Sequence, residues 1–509
     1  MKTARLCMLV VLTVLGTSPV AVAQEPTLRF RAECATWIGG SQWEQPREII
    51  VLNDGSVLVG GQTSSADLPV TEGAAQTTYG GEPAGTGHPG VVGGDCFVAK
   101  LNRDFSKLVW CTYFGGSKQE RATYGFNLHP DGDIIVCTAC RSHDAPTTEG
   151  SCQPKYGGGR SDTLVGKLRS DGKKFTWCTY VGGRGEDWPR GGTALDGKGN
   201  VVIVGRSTSP DFPATPGVIR SKVTDRKGDA MIVKLSADGK RLVWATLLGG
   251  SNWDGLMGAR VDKAGNVYVA GHTQSKDLPV TPGAPQRKAG GKADLWLTSM
   301  SPDGKKIRYC TYLAGSENEF AEHRPALLDD GSVLLTGFTG SKDFPTTAGA
   351  YQRTLKGKGD AFLAKLSPDG RRFEFVTLIG GHGKRGEEFL LFPTVGPAGN
   401  IYAVGATTSR DFPVTEGALQ KTFGGGKGDA VLVVMSPDGK RLVYSTYLGG
   451  RGDDLLRGIA VTKTGVVYLA GNSNSDNLPF ISPNAAQKKR KGQHDGIILK
   501  LVPTVVHAD

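Results

Sequence analysis

Seven carboxylates recur at one place in this chain and are its best candidates for chemistry. Glu44, Glu120, Asp187, Asp254, Glu319 and Asp454 each follow the last glycine of a recurring Gly-Gly or Ala-Gly pair by four residues. In the sixth copy the spacing carries an insertion, and Glu387 takes the place. Like charges that converge are costly unless solvated, paired or bridged by a cation. Such a set would line a ligand site or offer oxygen ligands to calcium, although no contiguous Asp-x-Asp-x-Asp-Gly loop accompanies it. The expectation is therefore an acidic ligand-binding ring near a central channel, with no catalytic assignment, no metal centre and no required cofactor.

Two further acidic sets have a simpler reading. Asp67, Asp144, Asp211, Asp277, Asp343 and Asp411 lie in long loops, and Asp95, Asp162, Asp229, Asp294, Asp360, Asp429 and Asp495 open apolar runs. Aspartates in such places accept hydrogen bonds from nearby loop N–H groups. Arg451-Gly-Asp453 spells an adhesion tripeptide but is the local copy of a repeated loop. Gly424-Gly-Gly-Lys-Gly428 resembles a phosphate loop yet precedes a strand, so the helical amide cradle is missing. Lys488-Lys-Arg-Lys491 reads as a solvated basic loop. The histidines show no metal-ligand spacing, and no Gly-x-Ser-x-Gly elbow is present.

These residues are positioned by a repeat. Thr36-Trp-Ile-Gly-Gly40 returns as Thr112-Tyr-Phe-Gly-Gly116, Thr179-Tyr-Val-Gly-Gly183, Thr246-Leu-Leu-Gly-Gly250, Thr311-Tyr-Leu-Ala-Gly315, Thr377-Leu-Ile-Gly-Gly381 and Thr446-Tyr-Leu-Gly-Gly450. A fixed long period means one supersecondary unit used seven times. Within a unit, short β-branched and aromatic runs alternate with turns such as Asp262-Lys-Ala-Gly-Asn266 and Ser301-Pro-Asp-Gly304, which suit tight hairpins. Each unit is thus four antiparallel strands, and the chain, with 74 Gly and 27 Pro among 509 residues, reads as all-β. The start of the mature chain matches only the last strand of a unit, and Asp495-Gly-Ile-Ile-Leu-Lys-Leu501 matches only the third. Pairing them removes two raw sheet edges. The predicted architecture is a seven-bladed β-propeller over residues 24–503, closed by its N-terminal strand, with a short tail at 504–509.

The N-terminus reads as a processing signal over residues 1–23. Lys2 and Arg5 precede a short apolar run, and Ala21-Val22-Ala23 is a small-residue cleavage site. No stretch is long and apolar enough for a transmembrane helix. Export implies a secreted, periplasmic or cell-surface location, and it makes nucleic acid an improbable partner. Eight cysteines remain after residue 23. Cys140 with Cys152 would clasp a long loop as a disulfide, whereas Cys111, Cys178 and Cys310 share one slot in three blades and read as small buried residues.

Asp360-Ala-Phe-Leu-Ala-Lys-Leu-Ser-Pro-Asp-Gly370, Tyr444-Ser-Thr-Tyr-Leu-Gly-Gly450 and Ser409-Arg-Asp-Phe-Pro413 resemble the SBBP-type β-propeller repeat of bacterial exported and surface proteins. The resemblance covers the whole mature chain. It implies a propeller and an extracytoplasmic location, and carries over no catalytic residue.

Strand order places the Gly-Gly loops and the long intra-blade loops on one face, and the tight hairpins on the other. The first face gathers the acids. The second carries Lys173, Lys174, Lys240, Arg241, Lys305, Lys306, Arg371, Arg372, Lys440 and Arg441, so the net charge of +11 is expected to be unevenly spread. Long-loop faces are where scaffolds usually carry function. The favoured expectation is a monomeric, non-enzymatic scaffold that recognises a glycan, protein or peptide there. The alternative is a polysaccharide lyase or hydrolase with its site at the central channel. That reading needs a carboxylate pair or a His–Tyr–Arg cluster. The residues that break the repeat's symmetry are Trp43, Trp188, Trp253, His323 and Arg324.

Overall fold

Each repeat folds as two hairpins in series, because its β-branched runs are separated by turn sequences too short to do anything else. Blade four shows the pattern: Asp254–Val261, Val267–Thr273, Asp294–Met300 and Ile307–Leu313 pair antiparallel in chain order. The computed structural model describes residues 27–82, 93–224, 227–322, 324–383 and 388–506. Over these it forms seven four-stranded antiparallel blades of a β-propeller. Numbered along the chain, blades one to six begin at Glu44, Glu120, Asp187, Asp254, Glu319 and Phe389.

Blade seven is composite. Asp454–Val461, Val467–Ser473 and Asp495–Val506 are completed by Thr27–Ile38, which pairs along Asp495–Val506 from Thr27↔Val506 to Ile38↔Gly496. This is the expected closure, and the strand runs to Val506, past the expected limit at 503. Residues 1–23 lie outside the described residues. Among the described residues no helix is long and apolar enough to cross a membrane.

The apolar core lies between blades rather than within them. Seven clusters of buried residues each draw on two neighbouring blades. The second strand of a blade is covered on both faces, as along Val57–Thr63 and Ile134–Cys140, which explains its near-continuous apolar sequence. Tight turns also tie blades together. Trp244 of blade three donates from Nε1 to Pro302 O, 2.9 Å away, in the Ser-Pro-Asp-Gly turn of blade four.

All eight described cysteines are unpaired. The expected Cys140–Cys152 bridge is not formed. Cys140 instead lies buried with Sγ 3.1 Å from Glu120 Oε1. The shared slot of Cys111, Cys178 and Cys310 is fully buried, as expected.

The innermost strands depart most from regularity. Those of blades three and five are split, into Asp187–Trp188 and Thr193–Leu195 and into Glu319–Phe320 and Ala326–Leu327. Five others carry register shifts, for example between Leu256 and Gly258. Bulges re-aim side chains, and here they turn polar residues toward the axis. Each inner strand ends on an aliphatic residue: Val51, Leu128, Leu195, Val261, Leu327, Val395 and Val461. None of the seven is fully buried. They mark the tight-turn mouth of the channel.

Candidate functional site

The six described carboxylates of the Gly-Gly phrase turn back onto their own turns rather than forming a ligand-facing ring. Glu44, Glu120, Asp187, Asp254, Glu319 and Asp454 are all buried, at 0–4% exposure. Each anchors the turn that precedes it. Asp254 Oδ2 accepts from Gly250 N at 2.8 Å and Ser275 Oγ at 2.8 Å, and Oδ1 accepts from Thr273 Oγ1. Glu44, Glu120, Asp187, Glu319 and Asp454 accept in the same way from Gly40, Gly116, Gly183, Gly315 and Gly450. Glu387 lies outside the described residues. In blade six the anchoring group is Glu388, which accepts from Thr407 and Ser409 hydroxyls.

Burial is the largest influence on these groups. It pushes Glu44, Glu120 and Glu388 up to about 7 and Asp254 up to about 6, against the pull of the donors. The glycines of the phrase exist for this packing: a Cβ on Gly250 would lie 2.4 Å from Asp277 Oδ1. The long-loop aspartates complete the anchor from the exposed side, as Asp277 accepts from Ser251 N at 2.9 Å and Ser251 Oγ at 3.0 Å. The strand-opening aspartates hold the other end of the long loop. Asp294 accepts from Gly290 N and Gly291 N at 2.9 and 2.8 Å. In blade six the amides of Gly424 and Gly425 are spent on Asp429 in the same way, which accounts for the phosphate-loop likeness. Among the described residues no group of three or more His, Cys, Asp or Glu is placed to hold a metal ion.

What reaches the axis is basic. Arg47, Arg121, Arg190, Arg260, Arg324 and Arg457 come from the inner segments of six blades, and Glu48 and Glu322 stand among them. Arg324 Nη2 lies 3.0 Å from Glu48 Oε2. Arg47 Nη1 and Arg457 Nη1 lie 3.4 and 2.7 Å from the two oxygens of Glu322. These pairs join blades one and seven to blade five. Because blade one adjoins only blades two and seven, its contacts with blade five must cross the axis. The network therefore bars the channel. The side chains are nearly dry, and breaking such a pair by removing one partner costs about 3–5 kcal/mol. Arg260 is held down to about 9, first by burial and then by the charge of Arg324. The fit is close, since a Cβ on Gly258 would fall 1.9 Å from Arg324 Cα.

Above the bar, toward the long-loop face, cations stack on aromatic rings. The Arg121 guanidinium lies 4.3 Å from the Trp188 ring centroid and that of Arg190 lies 5.5 Å from it. Arg190 also lies 5.8 Å from the Phe320 ring. Beside them, between blades three, four and five, opens a cleft of about 790 Å³. Trp253 and Phe320 are half-buried in it, with the imidazole of His272 between. Arg206 spans the cleft wall: its Nη2 pairs with Glu186, its Nη1 donates to Lys227 O at 3.0 Å, and its guanidinium lies 5.8 Å from the Trp253 ring. Gln274 and Asn318 are exposed at the rim. His272 is structural. Burial holds it down to about 3, and its Nε2 accepts from Ala321 N at 2.7 Å.

The structure thus brings Trp188 and Trp253 to one region and separates them from Trp43, which stacks on His494 at 4.0 Å. Arg324 belongs to the axial network, and His323 lies outside the described residues. Sequence reading singled out Arg324 but missed the other arginines of the inner segments. Their signal was visible, since Arg47, Arg190 and Arg457 each stand three residues after the buried acid, in runs otherwise mostly apolar.

No family model matches the chain, and no curated protein matches it. Among solved structures it is similar to BamB from Moraxella catarrhalis, at 11% identity and a TM-score of 0.39 over 93% of this chain and 99% of that one. It is similar to the WD40 propeller domain of Doa1, at 9% identity and a TM-score of 0.42 over 93% and 96%. It is also similar to the polysaccharide lyase Uly1, at 8% identity and a TM-score of 0.43 over 94% and 99%. Likenesses this remote carry no functional argument.

Proposed function

We propose that this protein is an exported, non-enzymatic recognition scaffold of the SBBP-repeat type, which binds an anionic glycan in the cleft between blades three, four and five. One observation carries the reading. Trp253 and Phe320 present half-buried ring faces in a cleft whose wall is Arg206, oriented by Glu186, beside Lys227. Aromatic faces suit the C–H faces of sugar rings, and a few placed polar groups give direction. A held guanidinium suits a uronate carboxylate. The two carboxylates among the described residues of the cleft are committed, Glu186 to Arg206 and Glu319 to the Gly315 turn. That leaves no free carboxylate pair among them for general acid and base work.

The test is calorimetric titration with oligosaccharides of a uronate-containing and a neutral polysaccharide. The uronate series is expected to bind, Trp253→Ala to weaken it at least tenfold, and Asp67→Ala, on the same face but in the turn of blade one, to leave it unchanged. Equal binding by neutral and acidic chains, or by wild type and Trp253→Ala, overturns the reading. So does the appearance of unsaturated or newly reducing products on incubation, which assigns the cleft to an enzyme.

A further inference from the structure

The geometry points to a second, independent site at the opposite end of the channel, one that binds an amphipathic monoanion: a carboxylate head on an apolar tail. Below the axial bar the channel widens into a cavity of about 820 Å³ that opens among the tight turns. This is the size of an ordinary small-molecule site. Its walls include Val51, Leu327, Phe392, Val395, Ile459 and Val461, four of which belong to the aliphatic rim at the tight-turn end of the channel. Val395 on that rim is among the few large apolar side chains of the described residues that stand exposed, at 37%.

The floor of the cavity is charged. Arg260 and Arg324 both line it, and the carboxylate placed against them is Glu48, at 3.0 Å from Arg324. Two guanidinium groups thus share one carboxylate, because Arg47 and Arg457 are turned to Glu322. Arg324 Nε and Nη1 are buried without a hydrogen-bond partner among the described residues. The Arg260 contact made within hydrogen-bond range is Nη1 to Ala259 O, at 3.2 Å. Buried charge left without a counter-charge is costly, and an oxyanion bound at the floor would neutralise the surplus.

Backbone strain marks the same place. Phe392 holds φ at 48° in the bulge of blade six, with the Arg324 guanidinium 5.4 Å from its ring centroid. A non-glycine residue in this region persists only where its surroundings impose it, and such residues cluster at ligand sites. The strained turn puts a ring against the guanidinium and keeps Phe392-Pro393 on the cavity wall. Apolar walls over a cationic floor select a ligand that has both parts.

Decanoate is the probe. Titration of the full chain is expected to show saturable one-to-one binding. Acetate, which lacks the tail, and decylammonium, which reverses the head charge, are expected not to bind. Arg260→Gln should weaken decanoate at least tenfold. Val395→Glu, a change at an exposed rim position that the fold tolerates, should do the same by placing a negative charge at the mouth. Trp253→Ala should leave decanoate binding unaltered, which separates this site from the glycan cleft. Binding that is non-saturable, shared equally by decylammonium, or unchanged in both Arg260→Gln and Val395→Glu overturns the assignment.

Discussion

Replacing Asp254 by Asn tests the anchoring role of the repeated carboxylates and has a sign that can be worked out. Asn keeps an oxygen where Oδ2 accepts from Gly250 N and Ser275 Oγ, and its amide can face Thr273, whose hydroxyl accepts as well as donates. The hydrogen-bond loss is therefore about 1 kcal/mol. The larger difference is electrostatic. Burial raises Asp254 from 3.8 to about 6 in the folded state. A folded value above the unfolded one means a contribution that is complete below pH 3.8 and is lost as pH rises through about 6. The shift of 6 − 3.8 = 2.2, at about 1.36 kcal/mol each, gives a loss on the order of 3 kcal/mol. Asn has no proton to lose. The penalty of Asp254→Asn should thus be largest near pH 4 and shrink by on the order of 3 kcal/mol by pH 8. Urea unfolding of both proteins at a series of pH values measures it. A penalty that grows with pH would show that the three donors outweigh desolvation and hold the group ionised, and would refute the reasoning. Wild type should show the same trend more strongly, because Glu44, Glu120 and Glu388 are raised to about 7.

Three other outcomes are expected. Gly258→Ala forces a Cβ to within 1.9 Å of the Arg324 backbone, so it should cost about 3 kcal/mol or more in urea unfolding, against under about 1 kcal/mol for an exposed Gly197→Ala control, where a Cβ meets nothing within 4 Å and φ is not left-handed. In a double-mutant cycle, Glu48→Gln and Arg324→Gln should couple by about 1–3 kcal/mol across the axis; additivity within about 0.5 kcal/mol would remove the bar from the channel. Reduction with dithiothreitol should leave the unfolding midpoint unchanged, because all eight described cysteines are free thiols, and a drop on reduction would reveal a disulfide.

The repeat explains why so much of the architecture was legible. A hairpin is set by local turn chemistry, so Ser301-Pro-Asp-Gly304 and Asp262-Lys-Ala-Gly-Asn266 fixed strand boundaries without reference to anything distant. Closure was legible because an incomplete blade at each end has one way to lose its edges, and Thr27–Ile38 takes it. The bland reading of Asp294 and Asp277 as loop anchors also followed from local donors.

The acidic set failed as a ligand ring for a reason the linear chain conceals. A residue four positions after a Gly-Gly turn can face the axis or fold back on its own turn. Asp254 folds back because Gly250 N–H, Thr273 and Ser275 converge on it from the turn and the second strand. Charge at the axis was decided by bulges in the inner strands, which turn Arg47 and Arg457 inward to meet Glu322 of blade five, more than a hundred residues away in sequence. The sequence by itself determined seven blades, their hairpins and their closure, since those follow from short-range geometry repeated. Only the tertiary structure decided which charges meet across the axis and where cavities open, because both depend on blades that are neighbours in the circle and strangers in the chain.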